Sequence, residues 1–143
     1  MIINVRQIIR NKGTDIWSVS PDTLIIEALK LMADKGIGAV LVLEDGEIAG
    51  IFSERDYARK VILLDRSSRT SPVSEVMTDK VICVGPDATA EQCLVLMTEK
   101  RIRHLPILEN DKLIALISIG DVVKAVISEQ ELLIEQLTDY ITS

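Results

Sequence analysis

Two tetrapeptides in this chain place the same polar residues at the same kind of junction. Ser53-Glu54-Arg55-Asp56 and Ser118-Ile119-Gly120-Asp121 each follow an apolar run and each open a segment with helical spacing. Ser-x-x-Asp at a helix start has an architectural reading, in which the serine caps the helix and the acid is favoured by the helix dipole. It also has a chemical reading. A carboxylate held there can accept two hydroxyl hydrogen bonds, as from a ribose, with the serine hydroxyl close by, and helix N-terminal N–H groups attract anions. The two readings are compatible. A second stretch, Arg101-Ile102-Arg103-His104-Leu105-Pro106, runs from a helix end into a strand and holds the single histidine. Regular alternation sends Arg103 and His104 to opposite sides, yet at the mouth of the strand both can reach a phosphate. Its architectural reading is a solvated basic helix end. Two arginines beside the only histidine, in a chain of net charge −6, favour anion binding.

The remaining chemistry-bearing residues are fewer. Cys83 and Cys93 show no metal-type spacing and read as small buried hydrophobes in a reducing setting. No Gly-rich Lys loop, G-x-G-x-x-G or recognisable nucleophile–base pair occurs, so no catalytic residue, metal or catalytic cofactor is expected. An enzyme such as a nucleotide hydrolase, using Asp56, Asp121 and His104 as acid–base groups, is one alternative. A nucleic-acid-binding regulator is another, opposed by the acidic total and by 3% aromatic content. The start from Met1 to Ile9 does not resemble a signal peptide, and no apolar run reaches the length of a membrane span. A cytoplasmic protein with neither membrane nor nucleic-acid partner is expected.

The elements that must position these residues come twice. Val19-Ser20-Pro21-Asp22 returns as Val84-Gly85-Pro86-Asp87, and the same offset of 65 residues aligns Met32 with Met97, Ile37 with Ile102, Leu43-Glu44 with Leu108-Glu109, Ser53 with Ser118 and Asp56 with Asp121. No gap is needed from Val19 to Ile62. Upstream, Val5 and Ile8 match Val73 and Val76 once three residues are allowed for near Thr14. Each copy predicts a short apolar lead-in (Val5–Ile9; Val73–Met77), a strand (Ile16–Val19; Val81–Val84) and a helix opened by Pro-Asp. Asp87 is the expected cap of the second of these helices, with Glu91 early in it. A strand pair with a tight turn at Asp45-Gly46 or Asn110-Asp111 follows, then a second helix, from about Glu54 to Leu63 in the first copy. The expected division is repeat 1 over residues 1–64, a polar linker over 65–72, repeat 2 over 73–127 and a C-terminal helix over 128–143. The fold class is mixed α/β (α+β): two βαββα units with pseudo-two-fold symmetry, each too small to cover its sheet alone.

In order and in duplicate, these motifs resemble a CBS-domain pair, and in particular the short stand-alone members of that family. The carriers are Val76-Met77-Thr78, Val84-Gly85-Pro86-Asp87, Arg103-His104-Leu105-Pro106-Ile107, Gly50-Ile51-Phe52-Ser53-Glu54-Arg55-Asp56 and Ile117-Ser118-Ile119-Gly120-Asp121. The resemblance implies a non-catalytic regulatory, energy-sensing module that binds an adenosine-containing ligand (AMP, ADP, ATP or NAD) in clefts between the repeats. It implies Asp56 and Asp121 as ribose ligands beside Ser53 and Ser118, and Arg103 and His104 as phosphate ligands, with Arg55 a second candidate. Ile16, Val19, Ile37, Ile82 and Ile102 are the implied adenine wall. The first copy departs from the pattern: Gly38-Ala39 and Leu41 replace the basic pair and the proline, so unequal sites are expected. The resemblance also implies a homodimer that acts on a regulated protein. The stripe Leu133, Leu137, Tyr140 and Ile141 on the terminal helix fits either self-association or packing on the chain's own core.

Overall fold

The computed structural model describes residues 2–142. In chain order the elements are α1 (Val5–Lys12), β1 (Ser18–Val19), α2 (Ile25–Lys35), β2 (Ala39–Glu44), β3 (Glu47–Ser53), α3 (Glu54–Asp56), a π-helical stretch (Tyr57–Ile62), a 3-10 turn (Val73–Glu75), α4 (Ala90–Lys100), β4 (His104–Glu109), β5 (Lys112–Ser118) and α5 (Ile119–Thr142). The fold is mixed α+β, and no helix among the described residues is long and apolar enough to cross a membrane.

The chain divides into a contiguous unit, Ile16–Val81, and a composite unit made of the residues up to Asp15 together with those from Ile82 onward. In the contiguous unit β1 runs parallel to β2, and β2 pairs antiparallel with β3. In the composite unit β4 pairs antiparallel with β5. The 65-residue offset survives in three dimensions. Ala39 pairs with Ser53 as His104 pairs with Ser118, and the register slips between Val42 and Leu43 as between Ile107 and Leu108. Both hairpins turn through two consecutive residues of positive φ, Asp45-Gly46 and Asn110-Asp111. That backbone matches the strands' own twist, and these residue types tolerate it best. Gly36 ends α2 in the left-handed conformation, which a residue without a Cβ adopts at no steric cost.

Local chemistry explains where the copies diverge. In the contiguous unit Leu41 N–H donates to the Trp17 carbonyl, which ties β1 to β2. The counterpart of Leu41 is Pro106, which has no N–H to give. The expected strand Val81–Val84 is therefore reduced to a single parallel bridge, Val84 to Ile107. Thr89, not Asp87, caps α4: its Oγ1 accepts from Gln92 N–H, and Gln92 Oε1 accepts from Thr89 N–H, both at 3.0 Å. The counterpart of Thr89 is Leu24, which cannot cap. The first N–H groups of α2, on Ile25 and Ile26, donate instead to the Ser71 and Ser68 carbonyls of the polar linker. The expected helix from Glu54 to Leu63 starts as α3 and widens into the π-helical stretch, where Arg66 N–H reaches back five residues to the Val61 carbonyl. The terminal helix is no separate element, because α5 runs unbroken through residue 128.

The compact units are cut differently from the sequence repeats at 1–64 and 73–127, because each lead-in segment packs on the other repeat's body. Val5 and Ile8 are buried with Ala90, Cys93 and Met97 of α4. Val73 and Val76 are buried with Ile25, Ala28 and Met32 of α2. The backbone bonds repeat as well: Val5 N–H donates to Ala88 O and Arg6 N–H to Pro86 O, as Val73 N–H donates to Thr23 O and Ser74 N–H to Pro21 O. After the 3-10 turn the second lead-in continues along β3, where Ile51 and Thr78 exchange two backbone hydrogen bonds of 2.9 and 2.8 Å. Gly50 lies under this approach, and a Cβ there would meet Met77 Sδ at 2.6 Å and the Thr78 carbonyl at 2.9 Å. Gly50→Ala is expected to cost about 1–3 kcal/mol of stability, read by chemical denaturation, because the close atoms include backbone that cannot swing away.

Candidate functional site

Both Ser-x-x-Asp segments fold as reciprocal capping boxes. Ser53 N–H and Ser53 Oγ each donate to Asp56 Oδ2 at 3.0 Å, and Asp56 N–H donates back to Ser53 Oγ at 3.1 Å. Ser118 N–H and Oγ donate to Asp121 Oδ2 at 2.8 and 3.0 Å, and Asp121 N–H donates to Ser118 Oγ at 3.3 Å. The helix start is pinned to the neighbouring strand in the same way in both units. Glu54 N–H donates to the Gly38 carbonyl, and Ile119 N–H to the Arg103 carbonyl. The cap therefore brings Ser118 and Asp121 to the place where Arg103 and His104 enter β4.

What differs is how much of each carboxylate the fold uses. Asp56 is buried, and its second oxygen, Oδ1, is also engaged: Thr78 Oγ1 donates to it at 3.2 Å and Lys60 Nζ pairs with it at 3.3 Å. Asp121 is half-buried, and its third donor, Lys12 Nζ, lies 2.6 Å from the same Oδ2 that the serine already holds. Asp121 Oδ1 therefore accepts from no donor among the described residues. No buried side-chain polar atom among them lacks a partner, so this oxygen opens to the surface.

Electrostatics sharpen the contrast. Burial pushes the Asp121 carboxyl up, but the Lys12 ammonium and the Ser118 donors outweigh it and hold the group below its ordinary value. His104 is lowered, first by burial and then by the positive charges of Lys12 and Arg103, against a smaller opposing pull from Asp121. The imidazole is thus neutral near pH 7, a donor at one ring nitrogen and an acceptor at the other. Arg103 is exposed at the edge of this group.

The composite unit brings together Arg103, His104, Ser118 and Asp121. The contiguous unit holds Ser53, Arg55 and Asp56, with Arg55 exposed. The apolar wall candidates are partly buried: Ile82 and Ile102 pack on the core of the composite unit, Val19 and Ile37 on that of the contiguous unit. Ile16 is half-buried. Sequence reasoning gave no site role to Lys12, Lys60 or Thr78. Lys60 carried a readable signal, since it follows Asp56 by four residues on a helix. Thr78 and Lys12 lie just past the two lead-in segments, and only the packing of those segments brings them to the carboxylates.

Comparison with known proteins agrees with the repeat. The sequence pattern of the CBS domain matches twice, over residues 5–63 and 73–128. The CBS domain-containing protein CBSX3, mitochondrial, of Arabidopsis thaliana is 40% identical over 134 residues, covering 90% of this chain and 65% of the plant protein. The chain thus spans just under two thirds of that relative. A signal-transduction protein with CBS domains from Burkholderia ambifaria MC40-6 superposes with a TM-score of 0.85 at 52% identity, covering 89% of this chain and 96% of that one. The CBS domain pair of protein MJ0100, solved in complex with methylthioadenosine and S-adenosyl-L-methionine, shares the fold at a TM-score of 0.76 and 18% identity, over 90% of this chain and 99% of that one.

The lowered His104 pKa has a stability consequence of fixed sign. The unfolded chain takes up the imidazole proton at a higher pH than the folded one, so stability is lost as pH falls through the ordinary imidazole value of about 6.5. Thermal unfolding at about pH 7.5 and 5.5 should show a larger drop for the wild type than for His104→Gln, which carries no such proton. An equal drop in both proteins contradicts this electrostatic picture.

Proposed function

We propose that this chain, which belongs to the CBS-domain family, is a non-catalytic regulatory module that binds an adenosine-bearing ligand at the Ser-x-x-Asp helix starts, most strongly at Asp121. One observation carries the proposal: Asp121 is fixed by Ser118 and Lys12 through one oxygen and offers the other to the surface. A carboxylate oriented in advance, with a spare acceptor, suits a ribose hydroxyl, because no ordering remains to be done on binding. His104 and Arg103 lie beside it, and an arginine fork contacts phosphate bidentately. The ligands of the MJ0100 pair share an adenosine moiety, which supports the same ligand class here. AMP, ADP, ATP and NAD all present a ribose diol and a phosphate. In this reading Asp56 is the weaker site, because both of its oxygens already accept bonds within the fold. Ligand binding shifts the population of conformations that a regulated protein reads.

Calorimetric titration with AMP, ATP and NAD tests the reading. At least one should bind, and Asp121→Asn should weaken it by about tenfold or more, the worth of a hydrogen bond to a charged group. Asp56→Asn should have the smaller effect. The absence of heat and of any thermal shift with all three nucleotides overturns the proposal.

The terminal stripe belongs to the same proposal. Leu133, Leu137, Tyr140 and Ile141 are 45, 54, 83 and 79% exposed along the end of α5, which supports self-association as a homodimer over packing on the chain's own core. Leu137→Glu is expected to convert a dimer to a monomer in sedimentation. Wild-type protein that sediments as a monomer sinks the homodimer.

A further inference from the structure

We infer that Lys12 is a specificity-determining residue of the composite unit, and that its ammonium makes the Asp121 site select phosphorylated adenosine over adenosine itself. The inference rests on the nucleotide reading above and deepens it. Lys12 ends α1 and reaches the site from outside the repeat that supplies Asp121. Its Nζ donates to Asp121 Oδ2 at 2.6 Å and to the Leu116 carbonyl at 2.7 Å. An ammonium has three donors. The third meets no acceptor among the described residues, and the side chain is 31% exposed. Lys12 is therefore a cation fixed at two points with one donor left over. Asp121 Oδ1 is the matching spare acceptor on the other member of the pair.

The second unit shows what the same place looks like without this charge. The counterpart of Leu116 is Ile51, whose carbonyl accepts from the Thr78 N–H, and the Thr78 hydroxyl donates to Asp56 Oδ1 at 3.2 Å. One threonine thus makes both contacts, to the strand carbonyl and to the carboxylate, that Lys12 makes in the composite unit, and it does so without charge. Lys60 does bring a cation to Asp56, but it closes the carboxylate's second oxygen, and its Nζ also donates to the Val76 carbonyl. At Asp121 the cation and a free carboxylate oxygen coexist.

The groups facing His104 point the same way. They are Lys12 from α1, Asp121 from α5 and Arg103 from the chain just before β4. Two cations oppose one carboxylate, so the cluster is positive before the imidazole is counted. A phosphate placed there meets charge-assisted donors, which are stronger than neutral ones. It also offsets the cations' repulsion, which lowers His104 in addition to burial, so the imidazole pKa moves up as the anion binds. Adenosine brings no charge and offers neither effect.

The test titrates AMP and adenosine into wild-type, Lys12→Met and Lys12→Arg protein. It also follows the imidazole resonance of His104, which needs no assignment because the chain has one histidine. Lys12→Met should weaken AMP by about tenfold more than it weakens adenosine, whose ribose contact loses only the ordering that Lys12 gives Asp121; the difference is that expected of one charge-assisted contact. Lys12→Arg should restore most of the AMP affinity. In the wild type the His104 midpoint should rise with AMP and stay in place with adenosine. If Lys12→Met fails to fold, the Lys12→Arg comparison is kept, and a His104 midpoint that does not move with AMP overturns the inference. Equal losses for both ligands, or no loss for either, overturn the inference while leaving the nucleotide reading intact. Binding of neither ligand to the wild type overturns both.

Discussion

Two short apolar segments leave the repeat that follows them, and much of the structure depends on where they go. Val5 and Ile8 are covered by α4, and Val73 and Val76 by α2. Burying two such side chains contributes about 1.5–3 kcal/mol each, and each repeat body is too small to close its core without them. The exchange also supplies backbone partners. Ala90 N–H, the first of α4, donates to the Ile3 carbonyl, and Ile25 N–H, the first of α2, donates to the Ser71 carbonyl. Both helices thus begin against a segment that sequence order assigns elsewhere.

The same exchange chemically completes the two Ser-x-x-Asp sites. Thr78 reaches Asp56 and Lys12 reaches Asp121 because each lies just beyond the buried part of its lead-in. The capping boxes are nearly superimposable in their bonding, yet the carboxylates end in different states. Asp56 has its oxygens consumed by the fold, whereas Asp121 shares three donors through one oxygen and keeps the other. A carboxylate whose acceptors are all used stabilises structure; one with a free acceptor and a fixed partner is organised for a ligand. The asymmetry therefore sits in the third contact, while the motif itself is shared.

The hairpins, their turn residues and the placement of Ser-x-x-Asp at helix starts were legible because each depends on neighbours along the chain. Left-handed turns need residues such as Asp45-Gly46, and a cap needs a side chain three residues from the N–H it accepts. The difference between the copies at Arg103 and His104 was equally plain, since Gly38-Ala39 stands in the matching place. Other features were out of reach. The cap of α4 falls on Thr89, two residues past the expected Asp87, because only Thr89 has its partner, Gln92, at the right spacing. The loss of the strand before α4 follows from Pro106, some twenty residues downstream, through a hydrogen bond that exists only between paired strands.

The sequence by itself determined the doubled architecture, the register of both hairpins and the lopsided distribution of basic residues. These follow from period, offset and residue type, which are one-dimensional properties. Tertiary structure alone decided that Lys12 stands against Asp121 and Thr78 against Asp56, and hence which carboxylate keeps a free oxygen. Burial is non-directional: an apolar pattern such as Val5 and Ile8 shows that a surface must be covered, but not by which of two nearly identical cores. Only the packed chain resolves that choice, and the choice carries Lys12 into the site.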